Sequence, residues 1–326
     1  MEQRHLGRTG LRVSRLGLGT LTWGRDTGER EAADQLKTFW DAGGTLVDTA
    51  DVYADGAAEY LLGRLLENLV PRQDLVIATK AGSVPDPDRR FDASRRHLLS
   101  ALDASLERLG TDHVDLWQVH AFDPTTPLEE TLQALDIAVS SGRARYAGVS
   151  NFSGWQLAKA ATWQLACPGR TPVASTQMEY SLLQRGVERE VLPAALDLRI
   201  GLLPSSPLGR GVLTGKYRHG IPTRSRGASD HLAPFVAPYL DETASAIVDA
   251  VATAAEGLGV SPLQVALAWV RDRPGVAAPI LGARDAHQLG QALSVEGLRL
   301  PVEINNALDD ISAPVHRYPD HDWSTL

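Results

Sequence analysis

Eight short runs of almost unbroken apolar residues, "RLGLGT", "TLVDT", "LVIATK", "VDLWQVH", "YAGVSN", "STQMEY", "IGLLPSS" and "VAAPILG", recur along the chain, with amphipathic stretches between them. Strands that are apolar on both faces must be covered on both faces, which is the condition of a parallel sheet with crossover helices. The intervening stretches supply the helices. In "SRRHLLSALDASLERLG" Leu99, Leu102, Leu106 and Leu109 recur at helical spacing, and Gly110 follows as a stop. "PLEETLQALDIAVSSG" places Leu128, Leu132, Leu135 and Val139 on one face, and "SPLQ" at 261–264 has Ser at N-cap, Pro at N1 and Gln at N3.

A count of eight strand-helix units favours a closed (β/α)8 TIM barrel. A doubly wound open sheet is the alternative, because periodicity does not distinguish a closed edge from an open one. Ahead of the first run, "QRHL" and "LRVS" flank the turn "GRTG" and predict a short N-terminal β-hairpin. No linker, repeat or low-complexity tract divides the 326 residues, so a single domain over 1–326 is expected. Residues 218–234, "RHGIPTRSRGASDHLAP", lack periodicity and predict an enlarged loop after the seventh run, a candidate lid.

Composition narrows the partners. A net charge of -8 with scattered basic residues leaves no basic stripe to neutralise a phosphate backbone, so nucleic acid is not expected. The one cysteine, Cys167, rules out a disulfide within the chain, and "MEQRHLGRTG" has no apolar core of the signal-peptide kind. A cytoplasmic location is expected. Apolar stretches such as "AIVDAVATAA" end well short of the roughly 20 residues a bilayer requires, so no membrane association is expected. Composition says nothing of the oligomeric state.

Consecutive runs end in titratable groups: Asp48 leading to Tyr53, then Lys80, then His120. In barrel enzymes the site lies at the C-terminal strand ends, so neighbouring strands would gather these four side chains on one rim. A tyrosine with an ordinary pKa of about 10 is a reluctant acid, and an adjacent ammonium favours its phenolate. Lys80 would supply that charge, Asp48 would hold the lysine, and His120 would hydrogen-bond a carbonyl. A lysine at a strand end also suits Schiff-base aldolase chemistry. Singly, each residue reads as turn, loop or packing; together they suit protonation of an oxygen. "GLGTLTWG" lacks the third glycine of a dinucleotide fingerprint, and "GRGVLTGKY" misses the P-loop spacing, with Tyr217 after its lysine. The histidines show no metal-ligand spacing, "HRYPDHDW" reads as a solvated tail, and no metal is expected.

"DTADVY", "ATK", "LWQVHAFDPTTPLEET", "YAGVSNF", "TQMEYSLL", "SPLGRGVLTGKY" and "LGARDAHQL" stand in an order and spacing similar to the aldo-keto reductase superfamily, over nearly the whole chain. The resemblance implies a barrel that binds NADP(H) without a dinucleotide-fold domain and reduces an aldehyde or ketone, or runs the reverse oxidation. It implies Tyr53 as general acid, Asp48 and Lys80 as the pair that tunes it, and His120 as the group orienting the carbonyl. It sets Ser150, Asn151 and Gln177 at the nicotinamide carboxamide, with Gly19 and Thr20 beside the cofactor. Leu208, Gly209 and Arg210 would meet the pyrophosphate. Gly282, Arg284, Gln288 and, from the long loop, Arg226 would meet the adenosine 2'-phosphate end. Substrate specificity would fall to Trp23, Phe122 and the C-terminal tail. Ser205 stands where many members place an aromatic residue, and Ala292 where many place Asn. The same resemblance includes potassium-channel β subunits, which implies an NADP(H)-binding regulatory protein as the alternative to an enzyme.

Overall fold

The computed structural model describes residues 1–86, 88–223 and 225–314. Among these, β1 (Gln3–His5) and β2 (Arg12–Ser14) form the antiparallel hairpin, with Gln3 opposite Ser14. The eight apolar runs become β3 (Gly17–Gly19), β4 (Leu46–Asp48), β5 (Val76–Ala81), β6 (Val114–Val119), β7 (Ala144–Ser150), β8 (Val173–Glu179), β9 (Gly201–Ser205) and β10 (Ile280–Leu281). These pair in parallel in the order β10-β3-β4-β5-β6-β7-β8-β9. The ring closes between β9 and the residues just before β10, where Leu202 N–H donates to Gly275 O at 2.9 Å and Ala277 N–H to Leu202 O at 2.8 Å. The barrel, rather than the open sheet, is therefore the fold.

Helices α1 (Glu29–Asp41), α2 (Ala57–Asn68), α3 (Arg95–Leu109), α4 (Leu128–Ser140), α5 (Gly154–Ala166) and α6 (Val191–Asp197) follow β3 to β8 in turn. After β9 come the short α7 (Ala233–Val236), then α8 (Glu242–Leu258) and α9 (Pro262–Arg271); α10 (Ala286–Leu293) follows β10, and α11 (Val302–Ile311) packs outside. Their ends obey local chemistry. Ser94 accepts from His97 N–H at the start of α3, Gly110 closes it in the left-handed region, and Ser261 and Gln264 form a reciprocal capping box on α9. The buried stripe of α3 begins at Leu98, four residues before Leu102, and Leu99 is only half-buried, a one-residue correction to the expected face. On α4, Ala138 is buried in place of Val139.

Two apolar cores result. The larger lies between strands and helices; the smaller fills the barrel floor with Leu46, Ala78, Leu116, Leu203 and Ile280, capped by Leu6 and Val13 of the hairpin segment. Strand alternation then dictates what stands above that floor: Asp48 two residues after Leu46, Lys80 two after Ala78, Gln118 two after Leu116. The space there is tight, since a Cβ on Gly148 would run into Ser175 Oγ. Among the described residues no single helix is long and apolar enough to cross a membrane; α8 and α9 reach that length only across a 101° bend.

Candidate active site

The ends of β4, β5 and β6 meet above the floor. Lys80 Nζ donates to Asp48 Oδ2 and to Thr49 O, both at 2.7 Å, and both partners of the pair are almost wholly buried. Tyr53 rides on the short turn Tyr53–Gly56; Lys80 Nζ lies 5.2 Å from its ring centroid and the His120 ring 6.1 Å away, edge-on at 78°. The four expected strand-end groups therefore share one site.

Its electrostatics follow from burial. Burial raises the Tyr53 phenol above its ordinary range, and the Lys80 charge pulls it back only in part. This corrects the expectation that the ammonium would leave the phenol more acidic than usual: desolvation outweighs the attraction of Lys80. Burial alone would lower Lys80, but Asp48 and Tyr53 overcome it and hold the ammonium charged. His120 is pushed down to about 3, first by burial and then by Lys80, so its ring is neutral at any working pH. Its Nδ1 is buried without a protein partner.

Next to this cluster, the Ser150 hydroxyl donates to Gln177 O at 3.0 Å, and Asn151 donates from Nδ2 to His120 O at 2.9 Å. The three residues expected at one carboxamide are thus interlocked at the ends of β7 and β8. Thr20 is fully buried, and its amide and hydroxyl both donate to Asp48 O, so it fastens β3 to β4 beside the cavity that Gly19 and Leu21 line.

A cavity of about 600 Å³ runs from Asp48, Tyr53 and Gln177 past Gly19, Ser205 and Leu208 to Gly282, Arg284, Gln288 and Ala292. That volume suits a large cofactor. At its far end Lys216, Arg226 and Arg284 converge. Lys216 is lowered to about 8 by burial and then by the Arg226 and Arg284 charges, and Arg226 is lowered by burial before it is affected by Arg284. Three cations close enough to depress the Lys216 ammonium are a donor set suited to a polyanion. Lys216 was missing from the expected set although "TGKY" displays it; its spacing fits no P-loop, and no shorter pattern marks it.

Four further expected residues make contacts within the protein. The Arg210 guanidinium is bidentate on Glu179 at 2.9 and 2.6 Å, donates to Phe235 O and lies 3.9 Å from the Phe235 ring centroid. Its side chain therefore clamps α7 to β8, which leaves the expectation of a backbone contact with the pyrophosphate unchanged. Gly209 is buried against Leu183. Trp23 is fully buried with Nε1 donating to Gln35 at 3.0 Å, so it belongs to the core and not to a substrate pocket. Phe122 is half-buried and meets Phe152 and Trp155 edge-on, at centroid distances of 5.4 and 5.8 Å. Phe235, unmarked by any sequence pattern, lines the cavity with Ser205. The expected tail residues, 316–323, lie outside the described residues. Among the described residues no group of three or more His, Cys, Asp or Glu is placed to hold a metal.

The sequence profile of the Aldo/keto reductase family matches residues 15–313. The chain belongs to this family. It is 38% identical to the uncharacterized oxidoreductase YrpG of Bacillus subtilis, over 95% of this chain and 96% of that protein. It is 36% identical to a probable voltage-gated potassium channel subunit beta of Oryza sativa subsp. japonica, over 98% of each. The aldo-keto reductase YhdN of Bacillus subtilis is 33% identical over 97% of this chain and 96% of its own. Membership of this family, together with oxidoreductase relatives, supports an oxidoreductase, and a small-molecule substrate is consistent with it.

Proposed function

We propose that this aldo-keto reductase is an NADP(H)-dependent carbonyl reductase of the alcohol dehydrogenase type, a single domain working in the cytoplasm. The observation that carries the reading is one continuous cavity with Tyr53 at one end and the Lys216, Arg226 and Arg284 cations at the other. The residues fit the cofactor: the cations suit its phosphates, Gly282 allows close approach, and Ser150, Asn151 and Gln177 suit the carboxamide. When bound, NADPH supplies the hydride for the carbonyl carbon.

The chain's own residues then handle the proton. His120, held neutral, offers a hydrogen bond to the carbonyl oxygen without competing as an acid. Tyr53 gives its proton to that oxygen as negative charge develops there. The phenolate left behind is stabilised by the Lys80 ammonium, which Asp48 keeps charged and fixed. In the oxidative direction the same phenolate takes the alcohol proton. The test follows NADPH absorbance against a panel of aldehydes and ketones. Turnover is expected in the wild-type chain, with a loss of about 10² to 10⁴ in Tyr53→Phe.

Similarity to the Oryza sativa probable potassium channel subunit beta favours a second reading, an NADP(H)-binding regulatory subunit. Tight NADPH binding with no turnover across the panel would select it. An aldolase reading through Lys80 is disfavoured, because its amine is already committed to Asp48 and Thr49 O.

A further inference from the structure

On the outer face of the barrel, behind Tyr53 and Lys80, lies a buried charged cluster that the proposed chemistry does not use. Glu59 of α2 is fully buried. Its Oε1 accepts from the Thr79 hydroxyl at 2.5 Å, and its Oε2 accepts from Arg108 Nε at 2.8 Å and pairs with Arg108 Nη2 at 2.7 Å. Thr79 immediately precedes Lys80, and strand alternation sends its side chain outward where that of Lys80 points in. Arg108, from α3, also donates to Ser105 Oγ at 3.2 Å.

The other neighbour of Arg108 is the turn that carries Tyr53. Ala54 (φ 49), Asp55 (φ 54) and Gly56 (φ 88) all lie in the left-handed region. Non-glycine residues persist there only where the surroundings over-determine them. The backbone bonds of the turn include Tyr53 N–H to Ala50 O at 3.1 Å and Asp55 N–H to Val52 O at 3.3 Å. What lies beneath is Arg108: a Cβ on Gly56 would sit 2.8 Å from its Cδ and 2.9 Å from its Nε.

We infer that Arg108, fixed by Glu59, is a positioning residue for the proton transfer: it shapes the left-handed turn and so sets where the Tyr53 hydroxyl stands relative to Lys80. Glu59 tethers both sides of that relationship, the acid through Arg108 and the ammonium through Thr79. The inference rests on the reading of Tyr53 as the acid.

The experiment uses the full chain with Arg108→Met, Arg108→Lys and the doubly neutral Arg108→Met/Glu59→Gln, which leaves no orphaned carboxylate if the single variant folds poorly. Steady-state kinetics with NADPH and an aldehyde turned over by the wild-type chain are read beside NADPH affinity from nicotinamide fluorescence. Near-ultraviolet difference titration of the protein alone, against Tyr53→Phe, reports ionisation of the phenol. The expected result is a kcat lowered about 10- to 100-fold by Arg108→Met and partly restored by Arg108→Lys. NADPH affinity should hold, and Tyr53 should ionise at lower pH as the loosened turn lets in water. Folded variants with unchanged kcat and an unchanged phenol titration, whatever their melting temperature, overturn the inference. If the wild-type chain reduces no carbonyl, the proposed function fails and the titration alone decides the positioning role.

Discussion

Gln177 donates its side-chain amide to Asp48 Oδ1 at 2.9 Å, while Lys80 holds Oδ2 of the same carboxylate at 2.7 Å. A carboxylate only accepts, so the amide nitrogen must face Asp48 and Oε1 of Gln177 is left to receive a donor from the cavity. The buried ion pair and the proposed carboxamide contact are thereby linked through one side chain that spans the barrel from β8 to β4.

Gln177→Met removes the donor and leaves Oδ1 buried without a partner. A stability loss of about 1–3 kcal/mol is expected, read as a lower urea midpoint, together with weaker NADPH binding. Gln177→Glu should be worse, since it sets carboxylate against carboxylate. Urea midpoints equal to that of the wild-type chain in both variants would show that Asp48 does not depend on this bond.

Asp51 gives a pH signature. Burial, and then the Glu59 charge, push its carboxyl from 3.8 up to about 7, against the opposing Val52 N–H, Arg108 and Lys80; Oδ1 is buried with no partner. Between those two pH values the unfolded chain ionises while the folded one keeps its proton, so the folded state binds more protons and stability falls as pH rises. Asp51→Asn, which cannot ionise, should match the wild-type chain near pH 4 and be the more stable at about pH 8. Chemical denaturation across that range checks it; two parallel stability profiles would mean that Asp51 is solvated.

His120 gives the opposite sign. Its folded value of about 3 lies below the ordinary 6.5, so below 6.5 the unfolded chain gains a proton that the folded chain refuses. Stability from this group is complete above 6.5 and drains away as pH falls toward 3. In ring-proton NMR, assigned by a His120→Asn variant, the His120 resonances should stay flat from about pH 8 to 5 while exposed histidines titrate. A midpoint near 6.5 would mean a wet, chargeable ring and remove its role as a neutral donor.

Much of this was legible in the chain. The eight strands follow from nearly continuous apolar runs, and the four strand-end groups from where those runs stop, and both signals are local. The misses are tertiary. Leu98 replaces Leu99 because helix rotation is fixed by the neighbours of α3, not by its own spacing. Trp23 looked available for a ligand because nothing nearby in sequence announces Gln35 as its partner. The Glu59–Arg108 pair joins residues 49 apart in sequence, and the left-handed turn above it has only Gly56 as a written signal.

Lys216 supplies the last prediction. Burial, and then the Arg226 and Arg284 charges, bring its ammonium down to about 8, and the cavity there is open to a ligand. A polyanion favours the charged form, so binding should draw a proton onto Lys216, and a rise of pH through 8 should weaken NADPH binding. The loss of one charge-assisted hydrogen bond of about 1.5–3 kcal/mol corresponds to roughly 10- to 100-fold in Kd. Lys216→Met should bind NADPH weakly at every pH and show no such slope. Arg226→Ala should keep the slope with a shifted midpoint, because relief of one repulsion moves the Lys216 titration upward. Nicotinamide fluorescence titrations at about pH 7 to 9 separate these cases. Equal slopes in the wild-type and Lys216→Met chains would move the phosphate contacts away from this cluster.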